Sequence, residues 1–300
     1  MLDLSVIILT YNEEIHIERC IKSVKPIASR IVVIDSESTD NTGHLAESLG
    51  AEVFVHPWPG NQAAQFNWAL DNTGISTEWI LRLDADEYPS AELTEELLRR
   101  LPAMDKDISA AMLPLRNVWM GHPLKYGGSK ISILRLFRNG KGRYENRMMD
   151  EHIQIKSGRI IEFDHPFVDD NLNNLNWWTN KHVGYATREA AELLDIEFNI
   201  SDSHDSNHIN SLSPEARRRR LRKLKYARQP LFWRSFAYFI YRYFLKGGFL
   251  EGKEGFLRHF LQGWWYRTLV DAKIFEIKKK GNNNPLAIKQ ILLDEYGIRF

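Results

Sequence analysis

Trp79-Ile80-Leu81-Arg82-Leu83-Asp84-Ala85-Asp86-Glu87 reads as a short strand, buried on both faces, that ends in three carboxylates within four residues. Only Arg82 interrupts its apolar run. Carboxylates crowded at a strand end repel one another and gain little from burial. A hard divalent cation relieves that conflict, because Mg2+ and Mn2+ favour oxygen ligands and can bridge one or two carboxylates to substrate phosphates. The bland alternative is a solvated acidic turn that caps the next helix. An isolated Asp-X-Asp is too short to decide between the two.

The residues before it carry more weight. Leu4 to Thr10 is a continuous apolar run of strand length, as in a parallel sheet covered on both faces. Tyr11-Asn12-Glu13-Glu14 breaks it, and Ile17, Cys20, Ile21 and Val24 then fall on one face of a helix. Ile31 to Ile34 predicts a second strand ending at Asp35. The polar loop Ser36-Glu37-Ser38-Thr39-Asp40 follows, with Asp40 placed to cap a helix reaching Leu49. Ala51 to Val55 reads as a strand, Gly60 to Leu70 as a helix, and Trp79 to Leu83 as the fourth strand. This alternation predicts an α/β domain with a mostly parallel sheet. Ligands of such sheets bind beyond the carboxyl ends of the strands. Three of those ends are polar here: Thr10 to Glu13, Asp35-Ser36 and Asp84-Ala85-Asp86.

The first turn holds no glycine, so the dinucleotide fingerprint is absent, and there is no phosphate-binding P-loop. Acidic strand ends would repel a bare phosphate. They suit a nucleoside, whose base N–H and ribose hydroxyls donate to carboxylates while a metal neutralises the diphosphate.

Three blocks, Ser5-Val6-Ile7-Ile8-Leu9-Thr10-Tyr11-Asn12-Glu13, then Ile31 to Ser36 with Ser38 to Thr42, then Leu83 to Glu87, together resemble the family 2 glycosyltransferases of GT-A fold, in order and in spacing. The resemblance covers residues 3 to about 155. It implies that Thr10, Tyr11, Asn12 and Glu13 line a nucleotide-sugar pocket, that Asp35 and Ser36 hold the base, that Asp84 and Ala85 lie near the ribose, and that Asp86 binds Mg2+ or Mn2+, with Asp84 close to the same ion. Asn67, on a helix of small residues that the family often shows here, is expected to brace the nucleotide loop. Simple turn and capping roles are the alternatives for Asn12, Glu13 and Asp35.

Further along, 91 to 101 predicts an amphipathic helix, and Ala110 to Val118 and Lys130 to Phe137 predict strands. Arg135 and Arg138 are candidates to meet the diphosphate; surface strand charges are the alternative. Met149-Asp150-Glu151-His152 falls where the family places its catalytic carboxylate, usually at a helix start. Glu-Asp is the commoner form there, so the choice of base between Asp150 and Glu151 stays open, with Glu151 favoured. Some GT-A enzymes complete the metal shell with a late histidine, which makes His165 a candidate ligand.

Composition narrows the setting. The chain has 300 residues, 43% hydrophobic and 26% charged, with a formal net charge of +1, which gives no global signal for nucleic acid or membrane. The single cysteine, Cys20, excludes an internal disulfide and a cysteine zinc site, as fits a reducing cytosol. No signal peptide is read at the start, and no run of about 18 uncharged apolar residues predicts a transmembrane helix.

The last part differs in character. A helix is expected from Trp177 to about Leu194, and a polar loop from Asn199 to Ser213. Ala216 to Arg228 then holds eight basic residues and no acid, and Pro230 to Leu245 is densely aromatic. Basic residues beside aromatic and aliphatic ones fit a helix lying in a membrane interface; a helical appendage with its arginines solvated is the alternative. Gly247 to Gly255 is a glycine-punctuated turn before a second aromatic segment, and this tail resembles the family's bacterial lipopolysaccharide-core β-glucosyltransferase group, with Glu251 where that group has Asp.

The expectation is therefore a GT-A catalytic domain, 1–170, with a helical extension, 171–300, that is peripheral to the inner face of the cytoplasmic membrane. The activity implied is inverting transfer from a nucleotide-sugar donor to a lipid-linked saccharide acceptor in lipopolysaccharide or other cell-surface polysaccharide synthesis. A divalent metal and an anionic membrane surface are its partners, and nucleic acid is not. A soluble or protein acceptor is the alternative, and so is a non-catalytic scaffold; intact Asp84, Asp86 and Glu151 argue against the scaffold.

Overall fold

The computed structural model describes residues 1–128, 130–145, 152–201 and 225–299. The chain forms two compact units, Met1–Leu124 with Ser129–Leu172, and Lys125–Gly128 with Asn173–Phe300.

The first unit opens with β1 (Leu2–Thr10), α1 (Glu14–Val24), β2 (Ala28–Asp35), α2 (Thr42–Ser48), β3 (Glu52–Val55), α3 (Gln62–Asn72) and β4 (Trp79–Asp84). It continues through β5 (Glu87–Pro89), α4 (Ala91–Arg100), β6 (Ile108–Trp119), β7 (His122–Pro123), β8 (Ser132–Arg138), β9 (Gly142–Tyr144), β10 (Ile153–Ile155), β11 (Arg159–Glu162) and β12 (Phe167–Asp169). The main sheet runs β3-β2-β1-β4-β8-β6-β12-β5. Its first four strands are parallel, as their unbroken apolar runs require. The rest is mixed, because β8 lies antiparallel between β4 and β6, and β5 antiparallel to β12.

Both faces are covered. Val6 and Ile8 of β1, with Leu81 and Leu83 of β4, pack against Ile17, Cys20, Ile21 and Val24 of α1 and against Leu93 and Leu97 of α4. The alternate residues Ile7, Leu9 and Ile80 face Phe66 of α3 with Phe137 and Tyr144. The period of 2 along each strand is therefore apolar on both sides.

Helix starts are specified locally. Asn61 and Ser90 cap α3 and α4, accepting from the amides of Ala64 at 2.7 Å and Leu93 at 3.1 Å. Asp40, expected to cap α2, sits one residue before the observed N-cap, Asn41. It accepts from Thr42 N at 3.0 Å and from Glu14 N at 3.2 Å, so one carboxylate ties the starts of α2 and α1 together.

In the second unit, α5 (Leu175–Phe198) begins at Asn174, whose side chain accepts from Trp177 N at 3.0 Å. Ala186, Ala190, Leu193 and Leu194 bury against Val270, Ile274 and Ile277 of the Tyr266–Lys280 helix and Ile288 and Leu292 of the Pro285–Tyr296 helix. The aromatic run forms the Trp233–Ile240 helix and a π-helical turn, Tyr241–Leu245. Arg234 is fully sequestered there with Asp271, Nε to Oδ1 at 2.7 Å, and Asp271 also accepts from Phe232 N at 2.7 Å. The expected polar loop from 202 onward and most of the basic run, 216–224, lie outside the described residues. Among the described residues no helix is long and apolar enough to cross a membrane.

Breaking a buried ion pair leaves one charge uncompensated. Asp271→Ala is therefore expected to destabilise the protein by about 3–5 kcal/mol, read as a lowered urea midpoint in far-UV circular dichroism. An unchanged midpoint would show that the pair does not hold this unit together.

Candidate active site

Register aligns the polar strand ends. Thr10 of β1 pairs with Asp35 of β2, and Leu9 pairs with Asp84 of β4. Asp35, Thr10 and Asp84 thus end three adjacent parallel strands in one row. The order β3-β2-β1-β4 reverses direction at β1, which makes this row the topological switch point where ligands of open α/β sheets bind.

At β2 the Asp35 carboxylate is buried and organised. Its Oδ1 accepts from the Thr10 hydroxyl at 3.0 Å and the Ser38 hydroxyl at 2.5 Å, and its Oδ2 accepts from Ser38 N at 2.8 Å. A carboxylate offers about four lone-pair sites, so Oδ2 retains capacity for one more donor. Ser36 lies beside it, donating its N–H to Thr10 O at 2.9 Å and accepting at Oγ from Gln65 at 3.0 Å.

Asn12 takes a left-handed backbone, φ 54°, and its Oδ1 accepts from Thr39 N at 2.8 Å, pinning the 38–40 loop against the end of β1. Asparagine tolerates this conformation better than most residues. Tyr11 beside it is 59% exposed. Glu13 turns inward to His16 Nδ1 at 2.5 Å. His16 Nε2 accepts from Leu172 N at 2.8 Å, so the proton sits on Nδ1 and points at the Glu13 carboxylate.

The end of β4 gathers two arginines and two acids. Arg82 reaches Asp84 Oδ1 at 2.8 Å, Gln62 Oε1 at 3.0 Å and the Tyr144 hydroxyl at 2.6 Å. Arg135 enters from β8, bonding Glu87 Oε1 at 2.5 Å and Asp84 Oδ2 at 3.4 Å beneath the Phe167 ring. Burial pushes the Glu87 carboxyl up to about 8, and the neighbouring Asp84 adds to the rise against the pull of Arg135. Ala85 is buried between the two aspartates. Asp86 is half-buried and points elsewhere: its Oδ2 accepts from Asn171 Nδ2 at 2.9 Å, and Asp170 N donates to its backbone carbonyl at 3.1 Å.

Several expected residues fall in other places. Arg135 is committed to the two acids beneath the edge, which argues against its meeting a diphosphate. Arg138 pairs with Trp79 at the start of β4, away from Asp84, and binds Glu78 and the carbonyls of Met104, Asp105 and Ile108. His165 is drawn to Glu96 of α4, Nδ1 to Oε2 at 2.9 Å, beyond the far end of β12 from Asp86. Among the described residues no three His, Cys, Asp or Glu side chains come together to hold a metal ion. Asn67 braces β9 with two bonds to the Tyr144 backbone, at 3.0 and 3.1 Å. Asp150 and Glu151 lie outside the described residues.

Residues that sequence reasoning missed do much of the positioning. Arg19 spans from α1 to Asp170 at 2.6 Å and lies over the Tyr88 ring, and Gln65 links Ser36 to His56. Arg82 had a visible signal, as the one charge in an apolar strand. Arg19 and Gln65 had none, because each acts on a residue distant in sequence.

A parallel half-sheet with an acidic carboxyl edge at its switch point, extended by antiparallel strands, is the framework of a GT-A glycosyltransferase. The chain belongs to glycosyl transferase family 2, whose model matches residues 5–164. An uncharacterised glycosyltransferase of Rickettsia typhi is 27% identical over 296 residues, covering 94% of this chain and 90% of its own. The lipopolysaccharide core biosynthesis glycosyltransferase LpsC of Rhizobium meliloti is 28% identical over 293 residues, covering 92% and 93%. Among solved structures, glucosyl-3-phosphoglycerate synthase from Mycobacterium tuberculosis is similar over 39% of this chain and 44% of its own, at 24% identity and a TM-score of 0.31.

Arg135→Met removes the cation that Glu87 and Asp84 share, leaving Arg82 on Asp84 alone, and is expected to cost about 3–5 kcal/mol above pH 8, where Glu87 is charged in the parent. A carboxyl raised in the folded state stabilises the fold below its unfolded pKa, about 4.3, and loses that contribution as pH rises through its folded value. The variant raises it further. Its deficit in urea melts should therefore stay smaller up to neutral pH, where Glu87 is protonated in both folded proteins, and widen as pH rises through about 8; a pH-independent deficit would contradict the electrostatic account.

Proposed function

We propose that this enzyme transfers a sugar, with inversion, from a nucleotide-sugar donor to a lipid-linked saccharide in lipopolysaccharide or related cell-surface polysaccharide synthesis, working at the inner face of the cytoplasmic membrane. The observation that carries this reading is the extent of the likeness to LpsC, which covers 92% of this chain and so runs well past the residues matched by the family model. In this reading the catalytic domain is 1–170 and the helical extension 171–300 serves the acceptor side.

In this reading the remaining lone pair of Asp35 accepts from a base N–H. Thr10 and Ser38 hold that carboxylate in place, and Asn12 and Glu13 fix the loop around it. Asp84, steadied by Arg82 and Arg135, faces the ribose. Asp86 is the metal ligand: it is a half-exposed hard oxygen donor, and Mg2+ and Mn2+ need only one or two carboxylates when substrate phosphates and water complete the shell. A bound ion would offset the charge gathering on the departing diphosphate. The acceptor hydroxyl attacks the anomeric carbon from the face opposite the diphosphate, and its proton passes to Glu151, or to Asp150 in its place. β9 and β10, which precede and follow the segment 146–151 in sequence, pair antiparallel, and Tyr144 of β9 is bonded to Arg82 and Asn67.

Radiolabelled donor, purified enzyme and either lipid-extractable saccharide or soluble glycan and protein acceptors test the reading. Label is expected in the lipid-borne product; label only in soluble products would replace the acceptor class, and no transfer to any acceptor would favour a scaffold. Glu151→Gln should keep donor affinity and lose transfer by about 10²–10⁴-fold; if Asp150→Asn does so instead, the base is Asp150. Asp86→Asn should melt like the parent and lose its metal-dependent turnover, and retained turnover would remove Asp86 from the site.

A further inference from the structure

The second unit carries an aromatic and aliphatic face that its core does not use. Leu245 is 75% exposed, Trp233 72%, Leu250 59%, Phe244 52% and Phe249 50%. Their rings are contiguous with buried ones. Phe244 and Phe249 flank Tyr243 at 5.1 and 6.4 Å, Tyr243 stacks on Phe239 at 5.4 Å, and Phe239 stacks on Trp264 at 5.4 Å. Phe236 joins Trp264 to Trp233 at the other end. Single exposed apolar side chains are ordinary, whereas a connected patch marks a surface that something covers.

The tip of this face is built. Gly247 and Gly252 take φ of 73° and 69°, a region open to glycine, and a Cβ on Gly248 would come within 2.5 Å of His259. Between them Glu251 is turned inward, its carboxylate accepting from the amides of Lys125 and Tyr126. Phe249 and Leu250 are left pointing out.

The charge around the face is mostly of one sign. From Lys225 to Glu254 there are six basic residues and two acids, the buried Glu251 and the half-buried Glu254. Arg234 is spent on Asp271 and Arg242 on the Gly127 carbonyl. The exposed charges that remain, Lys225, Arg228, Lys246 and Lys253, are all cationic. Exposed rings and leucines bordered by four exposed cations, against the one half-buried acid Glu254, match an anionic bilayer surface. Aromatic side chains suit the boundary between headgroup and acyl chain.

We propose that this face is a membrane-docking surface, in which Trp233, Phe244, Leu245, Phe249 and Leu250 enter the interfacial layer of an anionic bilayer and Lys246 and Lys253 meet its phosphates. It deepens the reading of a lipid-linked acceptor by naming the surface that meets the lipid, and it differs from attachment through the basic run 217–220.

Flotation of the full chain with phosphatidylethanolamine–phosphatidylglycerol vesicles, against phosphatidylcholine vesicles, tests it. The wild type is expected to float with the anionic vesicles and much less with the neutral ones. Leu245→Asp with Leu250→Asp should weaken flotation by about tenfold or more, with unchanged melting. Lys246→Glu with Lys253→Glu is a second, wholly exposed change that should weaken it too and restore nothing at high salt. Replacing Arg217 to Arg220 with Ser should leave most of the flotation intact. The proposal is overturned if the wild type stays with neither vesicle or binds both equally. It is also overturned if both tip variants float like the wild type, or if light scattering shows that the face instead pairs two copies in solution. A protein that floats as expected yet glycosylates only soluble acceptors would keep the docking surface and overturn the acceptor reading.

Discussion

Asp84 and Glu87 come together at the carboxyl end of β4, and the fold tolerates this because Arg82 and Arg135 are buried with them. Most of what extends the parallel half-sheet is tied to that cluster. β8 brings in Arg135, β12 lays Phe167 over it, and β9 supplies the Tyr144 hydroxyl that receives Arg82. Asn67 on α3 then holds Tyr144 by its backbone. Asp84 and Glu87 are neutralised by these arginines, whereas the described ion pairs put none on the Asp86 carboxylate; Arg19 reaches the Asp86 carbonyl, at 3.4 Å. Its carbonyl and carboxylate are steadied instead by Asp170 and Asn171, which Arg19 ties to α1.

The parallel half of the sheet was legible in the sequence because its strands are apolar on both faces and its helices carry a clear stripe, as Ile17, Cys20, Ile21 and Val24 do. The polar strand ends were legible for the same reason: Asp35 and Asp84 interrupt runs that burial otherwise makes uniform. The antiparallel half was less so. β5, β7, β9, β10, β11 and β12 are two to four residues each, too short for any periodicity. The roles imagined for Arg135, Arg138 and His165 depended on tertiary geometry. A charged residue at a strand end looks the same in sequence whether it faces a ligand or, like Arg138, gathers three backbone carbonyls. His165 was attractive as a late histidine, and only the β5–β12 register reveals that the residues facing Asp86 are Asp170 and Asn171.

The second unit combines two uses of the same residue types. Arg234 is buried against Asp271 and fixes the start of the aromatic helix, while Tyr241 and Phe244 beyond it are left open. Apolar burial stabilises the α5 side through small residues, Ala186 and Ala190, that allow close helix approach. The aromatic side buries Phe239 but leaves Trp233, Phe244 and Phe249 half or more exposed, which is unfavourable in water and favourable at a lipid boundary.

The proposed activity requires the acidic strand edge to be a metal-dependent nucleotide-sugar site. The most direct measurement is the melting temperature of the purified protein across UDP-, GDP- and dTDP-sugars, each with Mn2+, Mg2+ or chelator. Stabilisation by one nucleotide class that appears with the metal and vanishes with chelator is the predicted result. Stabilisation that is indifferent to chelator, or none with any donor in the presence of lipid, would contradict it.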